Sequence, residues 1–345
     1  MTRIRVAIHG FGRTGRQAFK AIWAHHRDRL EIAAIGLRNP SLAASAAHLL
    51  KYDSTYGRFA PTVGVADGSL RVGDTIIPLV SADRLSALPW ADLGIDVVIE
   101  SSGAYTTERA AAGHIEAGAG KVILTDPSDD ADFTLIYGVN EGGYDPARHH
   151  LLSAGSDTTN ALAPLVQALR DHFEVKTALM TAVHAYTNEQ KLLDFSDTDL
   201  RRARSAPTSI VPTSTRAATT IGRVFPDMAG RLGGYAVRVP VPTVSILQLT
   251  AHFGSAPTVD QINTAFRQAA AGPLGRVMTV SDRPLVSSDY RGSTYSAIVD
   301  APSTITIGPL AKVAAWYDNE WGYSCRVADV AAFIGARGSN GRASA

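Results

Sequence analysis

The run Gly10-Phe11-Gly12-Arg13-Thr14-Gly15 constrains this chain more than any other feature, because of what flanks it. Residues 4–8 are mostly apolar and short, which predicts a buried strand. Residues 17–23 carry a helical pattern, and residues 30–35 read as a second strand. Strand, glycine-rich turn, helix and strand open a dinucleotide-binding unit; the glycine motif without those flanks says far less. Each glycine has its own task. Gly10 makes the tight turn, Gly12 lets the backbone approach a pyrophosphate, and Gly15 lets helix and strand pack closely. The helix N-terminus then faces the phosphates with unpaired N–H groups. Phe11, Arg13 and Thr14 share the loop and join the glycines as cofactor-binding candidates.

A chain of 345 residues, 45% of them hydrophobic, can bury a large core and suggests about two domains. Further strands are expected at 96–100, which ends at Ser101-Ser102-Gly103, and at 121–125, with a helix over 107–117. From about residue 158 the pattern changes. A helix is expected over 160–172, then strand-like alternation at 176–183, 234–239, 244–252 and 311–317. The expected fold is α/β: a Rossmann NAD(P)-binding domain plus an α+β catalytic domain with a mixed sheet. The tail after Gly335 is small and polar and is expected to be disordered.

Composition excludes several classes of partner. A net charge of +1 gives no bulk attraction to nucleic acid or to an anionic membrane. No apolar run approaches the roughly 18 residues of a transmembrane helix. The N-terminus enters a strand at once, without a signal-peptide layout, so the cytoplasm is the expected compartment. The one cysteine, Cys325, rules out an intrachain disulfide and reads as a small buried filler. The ten histidines show no paired metal-ligand spacing, so no metal is expected.

Ser153-Ala154-Gly155-Ser156-Asp157-Thr158-Thr159-Asn160 resembles the active-site segment of phosphorylating glyceraldehyde-3-phosphate dehydrogenases, Ser-Asn-Ala-Ser-Cys-Thr-Thr-Asn. His9-Gly10-Phe11-Gly12-Arg13-Thr14-Gly15-Arg16 is similar to that family's Asn-Gly-Phe-Gly-Arg-Ile-Gly-Arg. Leu49-Leu50-Lys51-Tyr52-Asp53-Ser54, Thr181-Ala182-Val183-His184-Ala185-Tyr186-Thr187, Asp199-Leu200-Arg201-Arg202-Ala203-Arg204 and Trp316-Tyr317-Asp318-Asn319-Glu320-Trp321-Gly322-Tyr323 match other family segments. The likeness runs from residue 4 to about 334. It implies a homotetramer and three segments: a dinucleotide-binding domain (1–156), a catalytic domain (157–321), and a C-terminal helix returning to the first domain, with the tail (322–345). It also implies roles. His184 matches the histidine that activates the thiol and then works as acid and base. Asn319 matches the asparagine that holds the nicotinamide carboxamide, and Ser102 and Tyr323 complete the cofactor set. Thr187 and Arg238 match the grip on the substrate's phosphate. Ser156, Thr158 and Thr215 match the site for inorganic phosphate.

Four departures cluster on function. Asp157 stands where the family has its nucleophilic cysteine. Arg216 stands where it has glycine, and Asp126 where it has a small residue. Gly36-Leu37-Arg38-Asn39 replaces the Asn-Asp whose acid binds the adenosine ribose. An acid there repels a 2′-phosphate, whereas a neutral residue with Arg38 nearby accommodates it, so NADP is expected over NAD. Arg216 is a candidate to fill the inorganic phosphate site or to grip a different anion. Arg238 lies in an apolar strand and demands an anionic partner.

Asp157 has two readings. It is a favoured helix N-cap. It is also a carboxylate at a helix N-terminus near His184, able to orient that histidine, bind a cation or position a water. Hydride transfer needs no thioester: a hydroxyl can be oxidised or a carbonyl reduced with His184 moving the proton. The expected function is an NAD(P)-dependent oxidoreductase of a small, phosphorylated carbonyl or hydroxy compound. The alternatives are a non-redox enzyme that uses Asp157 and His184 for proton transfer, and a cofactor-binding pseudoenzyme. An engineered cysteine-to-aspartate change leaves Arg216, Leu37 and Arg38 unexplained.

Overall fold

The structure, a computed structural model, describes residues 3–338. The chain divides into two compact units: Met1–Leu135 with Gly142–Gly155 and Ser324–Ala345, and Ile136–Glu141 with Ser156–Tyr323.

The first unit is built on the apolar strand Ile4–His9, whose interior residues are buried on both faces. That burial is what a central parallel strand requires. Leu30–Gly36 and then Thr75–Val80 lie to one side; Val97–Glu100, Lys121–Leu124, Leu151–Ser153 and Phe133–Thr134 lie to the other, all parallel. Two antiparallel strands, Ser69–Val72 and Val63–Ala66, extend the edge beyond Thr75–Val80; sequence reasoning did not find them. The first helix, Arg13–His25, is longer at both ends than its sequence pattern. It buries Ala18, Phe19, Ala21 and Ile22. The helix expected over 107–117 is broken at Ala112 into Glu108–Ala111 and Gly113–Glu116.

The second unit has a mixed sheet ordered Val211–Thr213, Leu232–Val239, Val175–Ala185, Ser245–Phe253, Leu310–Tyr317, Ala297–Asp300, Met278–Ser281. Val175–Ala185 runs parallel to Leu232–Val239 and antiparallel to Ser245–Phe253. The helices Asp157–His172, Ala217–Val224 and Val259–Ala271 pack on it, and the apolar residues between form its core. Asp157–His172 is buried along nearly its whole length. It begins three residues before the predicted start, because Ser156 caps it and the buried Thr158 and Thr159 belong to its first turn. The C-terminal helix Trp321–Gly338 continues past the Gly335 at which disorder was expected; residues 339–345 lie outside the described residues.

Candidate active site

Ser156, Asp157, His184 and Arg238 all belong to the second unit. The N-cap of Asp157–His172 is Ser156, whose hydroxyl accepts from Thr159 N at 3.0 Å. Asp157 is therefore the first residue inside the helix, not its cap. One of its oxygens accepts from Thr158 N at 2.6 Å. The other lies 2.9 Å from His184 Nε2. His184 is 3% exposed, held in the strand Val175–Ala185. In the parallel pairing its direct partner is Arg238.

That register explains the third member. Arg238 Nη1 lies 2.5 Å from His184 Nδ1 and 3.2 Å from Ala185 O. Nδ1 also lies 2.7 Å from Ala185 O, so a donating guanidinium and an accepting carbonyl both face it, while Nε2 faces Asp157. The imidazole thus bridges a carboxylate and a cation. The anionic partner expected for Arg238 is Asp157, acting across the ring. Desolvation, the largest single influence, pushes the Asp157 carboxyl up. The charge and hydrogen bond of His184, then Arg238, then Thr158 N outweigh it and hold the group below its ordinary range. Its side chain keeps 21% of its exposure, whereas the His184 ring is almost fully buried.

Around this core the sheet places other predicted residues. Tyr317 packs edge-on to His184 with ring centroids 6.0 Å apart and shares a hydrogen bond with Thr158 Oγ1 at 3.0 Å. Burial, then the Asp157 charge, raise its phenol above the usual range. Ser245, which sequence reasoning missed, accepts from Ala185 N at 3.1 Å and donates to Asn319 Oδ1 at 3.2 Å. The buried Asn319 amide thereby accepts at Oδ1, which leaves its NH₂ as the donor group. Ser245 follows Val244, a buried β-branched residue at φ 67°. Such strain persists only where the surroundings over-determine it, and here it sets the entry of the strand that carries Ser245. No sequence signal marks it.

Thr187 Oγ1 is buried with no hydrogen-bond partner. An orphaned buried hydroxyl costs free energy unless a ligand satisfies it. The three hydroxyls expected for inorganic phosphate are engaged locally instead. Ser156 caps its helix, Thr158 meets Tyr317 and Asp157, and Thr215 Oγ1 accepts from Ala217 N at 3.2 Å. Arg216 is exposed at the N-cap of Ala217–Val224. Tyr323 is buried. The only cysteine, Cys325, is buried in the helix Trp321–Gly338 and belongs to the first unit, not to this site.

The nucleotide candidates lie in the first unit. Gly10 has φ 86°, and a Cβ on it would sit 2.4 Å from Ser102 N. A Cβ on Gly15 would sit 2.1 Å from Gly10 O. Both positions admit only glycine. A Cβ on Gly12 would meet nothing within 4 Å, so the open space beside it is left for a ligand. The helix Arg13–His25 has no side-chain cap and no acid in its first turn, which leaves its N–H groups and dipole to an anion. Phe11 is buried against Phe19, and Thr14 is half-buried at the helix start. Arg13 pairs with Asp53 at 3.3 Å. Ser102 is exposed, its N–H donated to Glu100. Leu37 is buried with its N–H given to Val80 O, and Arg38 is exposed. These residues fit a dinucleotide.

Residues 4–108 match the family model for the NAD binding domain of glyceraldehyde 3-phosphate dehydrogenase, and residues 156–319 match its C-terminal domain. Glyceraldehyde-3-phosphate dehydrogenase 2 of Streptomyces arenae is 46% identical over 333 residues, 96% of this chain and 99% of that protein. The Geobacillus stearothermophilus enzyme is 44% identical over 337 residues, 97% and 99% of the two chains. That of Mycolicibacterium smegmatis is 45% identical over 336 residues. The chain belongs to the glyceraldehyde-3-phosphate dehydrogenase family, with its NAD-binding Rossmann domain and its catalytic domain.

Proposed function

We propose that this family member is an NADP-preferring oxidoreductase of a small, phosphorylated carbonyl or hydroxy compound, working without a cysteine thioester. The observation that carries the reading is the 2.9 Å contact between Asp157 and His184 at a helix N-terminus. A carboxylate there forms no thioester, yet the base, the cation and the carboxamide-holding asparagine remain. Bound nicotinamide supplies the acceptor or donor of the hydride. Asp157 and His184 act as a unit, the carboxylate orienting the imidazole, which takes the hydroxyl proton when substrate is oxidised and returns it when a carbonyl is reduced. His184 Nε2 faces the carboxylate, and Arg238 and Ala185 O hold the other edge of the ring. Aldehyde oxidation runs through the hydrate, one hydroxyl of which gives up its proton as the hydride leaves, yielding a carboxylic acid. Arg238 and the orphaned Thr187 hydroxyl suit the substrate's phosphate. The local engagement of Ser156, Thr158 and Thr215 suits a reaction that consumes no inorganic phosphate.

The tip of the strand Leu30–Gly36 bears no acid, and Arg38 follows it, which favours NADP. Calorimetric titration should show NADP binding tighter than NAD; NAD tighter by tenfold, about 1.4 kcal/mol, overturns the preference. The face of the second unit's sheet away from its helices presents Leu179, Tyr235 and Leu310 to solvent. Apolar residues on one sheet face suit a homotetramer; sedimentation as a monomer contradicts it. Among the described residues no helix is long and apolar enough to cross a membrane, and the proposed compartment is the cytoplasm.

A further inference from the structure

We propose that His9 selects the cofactor: its Nε2 hydrogen-bonds the 2′-phosphate of NADP, while a buried relay of Glu100, His114 and Trp90 holds the ring in place. The inference deepens the NADP reading above and rests on it.

His9 ends the strand Ile4–His9, directly before Gly10. It is in register with Gly36 on one side and Glu100 on the other. Its ring lies over Gly36, where an added Cβ would come 2.4 Å from His9 Cδ2. Glycine at the tip of the second strand is thus what makes room for the imidazole. His9 stands where the family's segment has asparagine, and Gly36, which replaces the asparagine of its Asn-Asp, leaves the room that the imidazole occupies.

The other ring edge is fixed. His9 Nδ1 lies 2.6 Å from Glu100 Oε2. The same oxygen lies 2.9 Å from His114 Nε2, and Oε1 accepts from Ser102 N at 2.7 Å. Trp90 Nε1 donates to His114 Nδ1 at 2.9 Å, which puts the His114 proton on Nε2, facing Glu100. Glu100 is 2% exposed, and its pKa is lowered to about 2. Burial, the largest effect, raises it; the hydrogen bonds from His114 and His9, the His9 charge and Ser102 overcome that. An ionised carboxylate therefore holds the Nδ1 proton of His9. That leaves Nε2, beside the Cδ2 that overlies Gly36, as the nitrogen toward the tip of the second strand. The His9 side chain keeps 13% of its exposure there. Dinucleotide folds read the adenosine ribose at that tip. Buried Leu37 offers no side-chain acceptor to the ribose, and exposed Arg38 adds a cation.

The ligand atoms of His9, Glu100 and His114 lie within 4.8 Å of one another, as in a metal site. They already face each other at hydrogen-bonding distance, so an ion would have to displace every bond of the relay. The geometry is that of an oriented histidine.

The test titrates adenosine 2′,5′-bisphosphate and adenosine 5′-monophosphate into the full chain, wild type and His9→Asn. The wild type should prefer the bisphosphate by about tenfold or more. His9→Asn should lose that preference and keep its affinity for the monophosphate. A wild type without the preference sinks the NADP reading and this inference with it. A preference that survives in His9→Asn overturns the inference and leaves the NADP reading standing. If His9→Asn does not fold, wild type with ¹⁵N-labelled histidine decides. The His9 Nε2 resonance should move with the bisphosphate and not with the monophosphate; equal response to both overturns the proposal. Glu100→Gln, a change in a positioning residue, should shift the His9 Nδ1 resonance and weaken the preference.

Discussion

At Asp157 the backbone needs of the helix and the needs of the site are met by different residues. Ser156 supplies the cap, so the Asp157 carboxylate is free to face His184. Asp157→Asn keeps shape and a hydrogen-bonding oxygen but removes the charge. Turnover on the true substrate should fall by about two orders of magnitude or more, as when an orienting carboxylate is lost, with NADP affinity unchanged. His184→Ala should be comparably damaging and the double mutant little worse, because residues acting as a unit are not additive. Steady-state kinetics with calorimetry checks this; full activity in Asp157→Asn removes the charge from the mechanism. The identities of Asp157, His184 and Arg238 were legible in sequence through the family resemblance. The setting of the His184 ring was not, because one of its partners is a guanidinium 54 positions away in the chain.

At the scale of elements, the glycine-rich turn and its flanking strand and helix were readable because each step follows from local pattern. Strand partners were not. Alternation with a period of two says that Val175–Ala185 has an inner face, but not that Leu232–Val239 lies parallel to it with His184 opposite Arg238. The strained Val244 and the His9–Glu100–His114 cluster were hidden for similar reasons. A β-branched residue gives no warning of positive φ; His9 meets Glu100 only through the parallel register, and His114 reaches the same carboxylate from the helix Gly113–Glu116. The start of Asp157–His172 was legible in principle from Ser156 but was set too late, since buried threonines blur the apolar pattern. Ser156→Ala should cost about 1 kcal/mol in equilibrium unfolding, the usual loss of a helix cap. A variant as stable as wild type would return the capping role to Asp157.

For the whole molecule, the buried Glu100 relay ties stability to pH. Its folded pKa of about 2 lies below the ordinary 4.5, so its contribution is complete above about pH 4.5 and is lost as pH falls toward 2. Glu100→Gln should be less stable than wild type at neutral pH, and the gap should close across that window. Unfolding curves from pH 7 down to about 2 test it; a constant gap contradicts the assignment. On the proposed chemistry, this member of the family moves a hydride without a covalent acyl intermediate. Glyceraldehyde 3-phosphate with inorganic phosphate and NADP or NAD, assayed for acyl phosphate and for an acylated protein mass, tests it most directly. The prediction is no acylated protein and no acyl phosphate above trace, any reduced nicotinamide being matched by free carboxylic acid. Acyl phosphate formed at an ordinary enzymatic rate, around 10 per second, would contradict it.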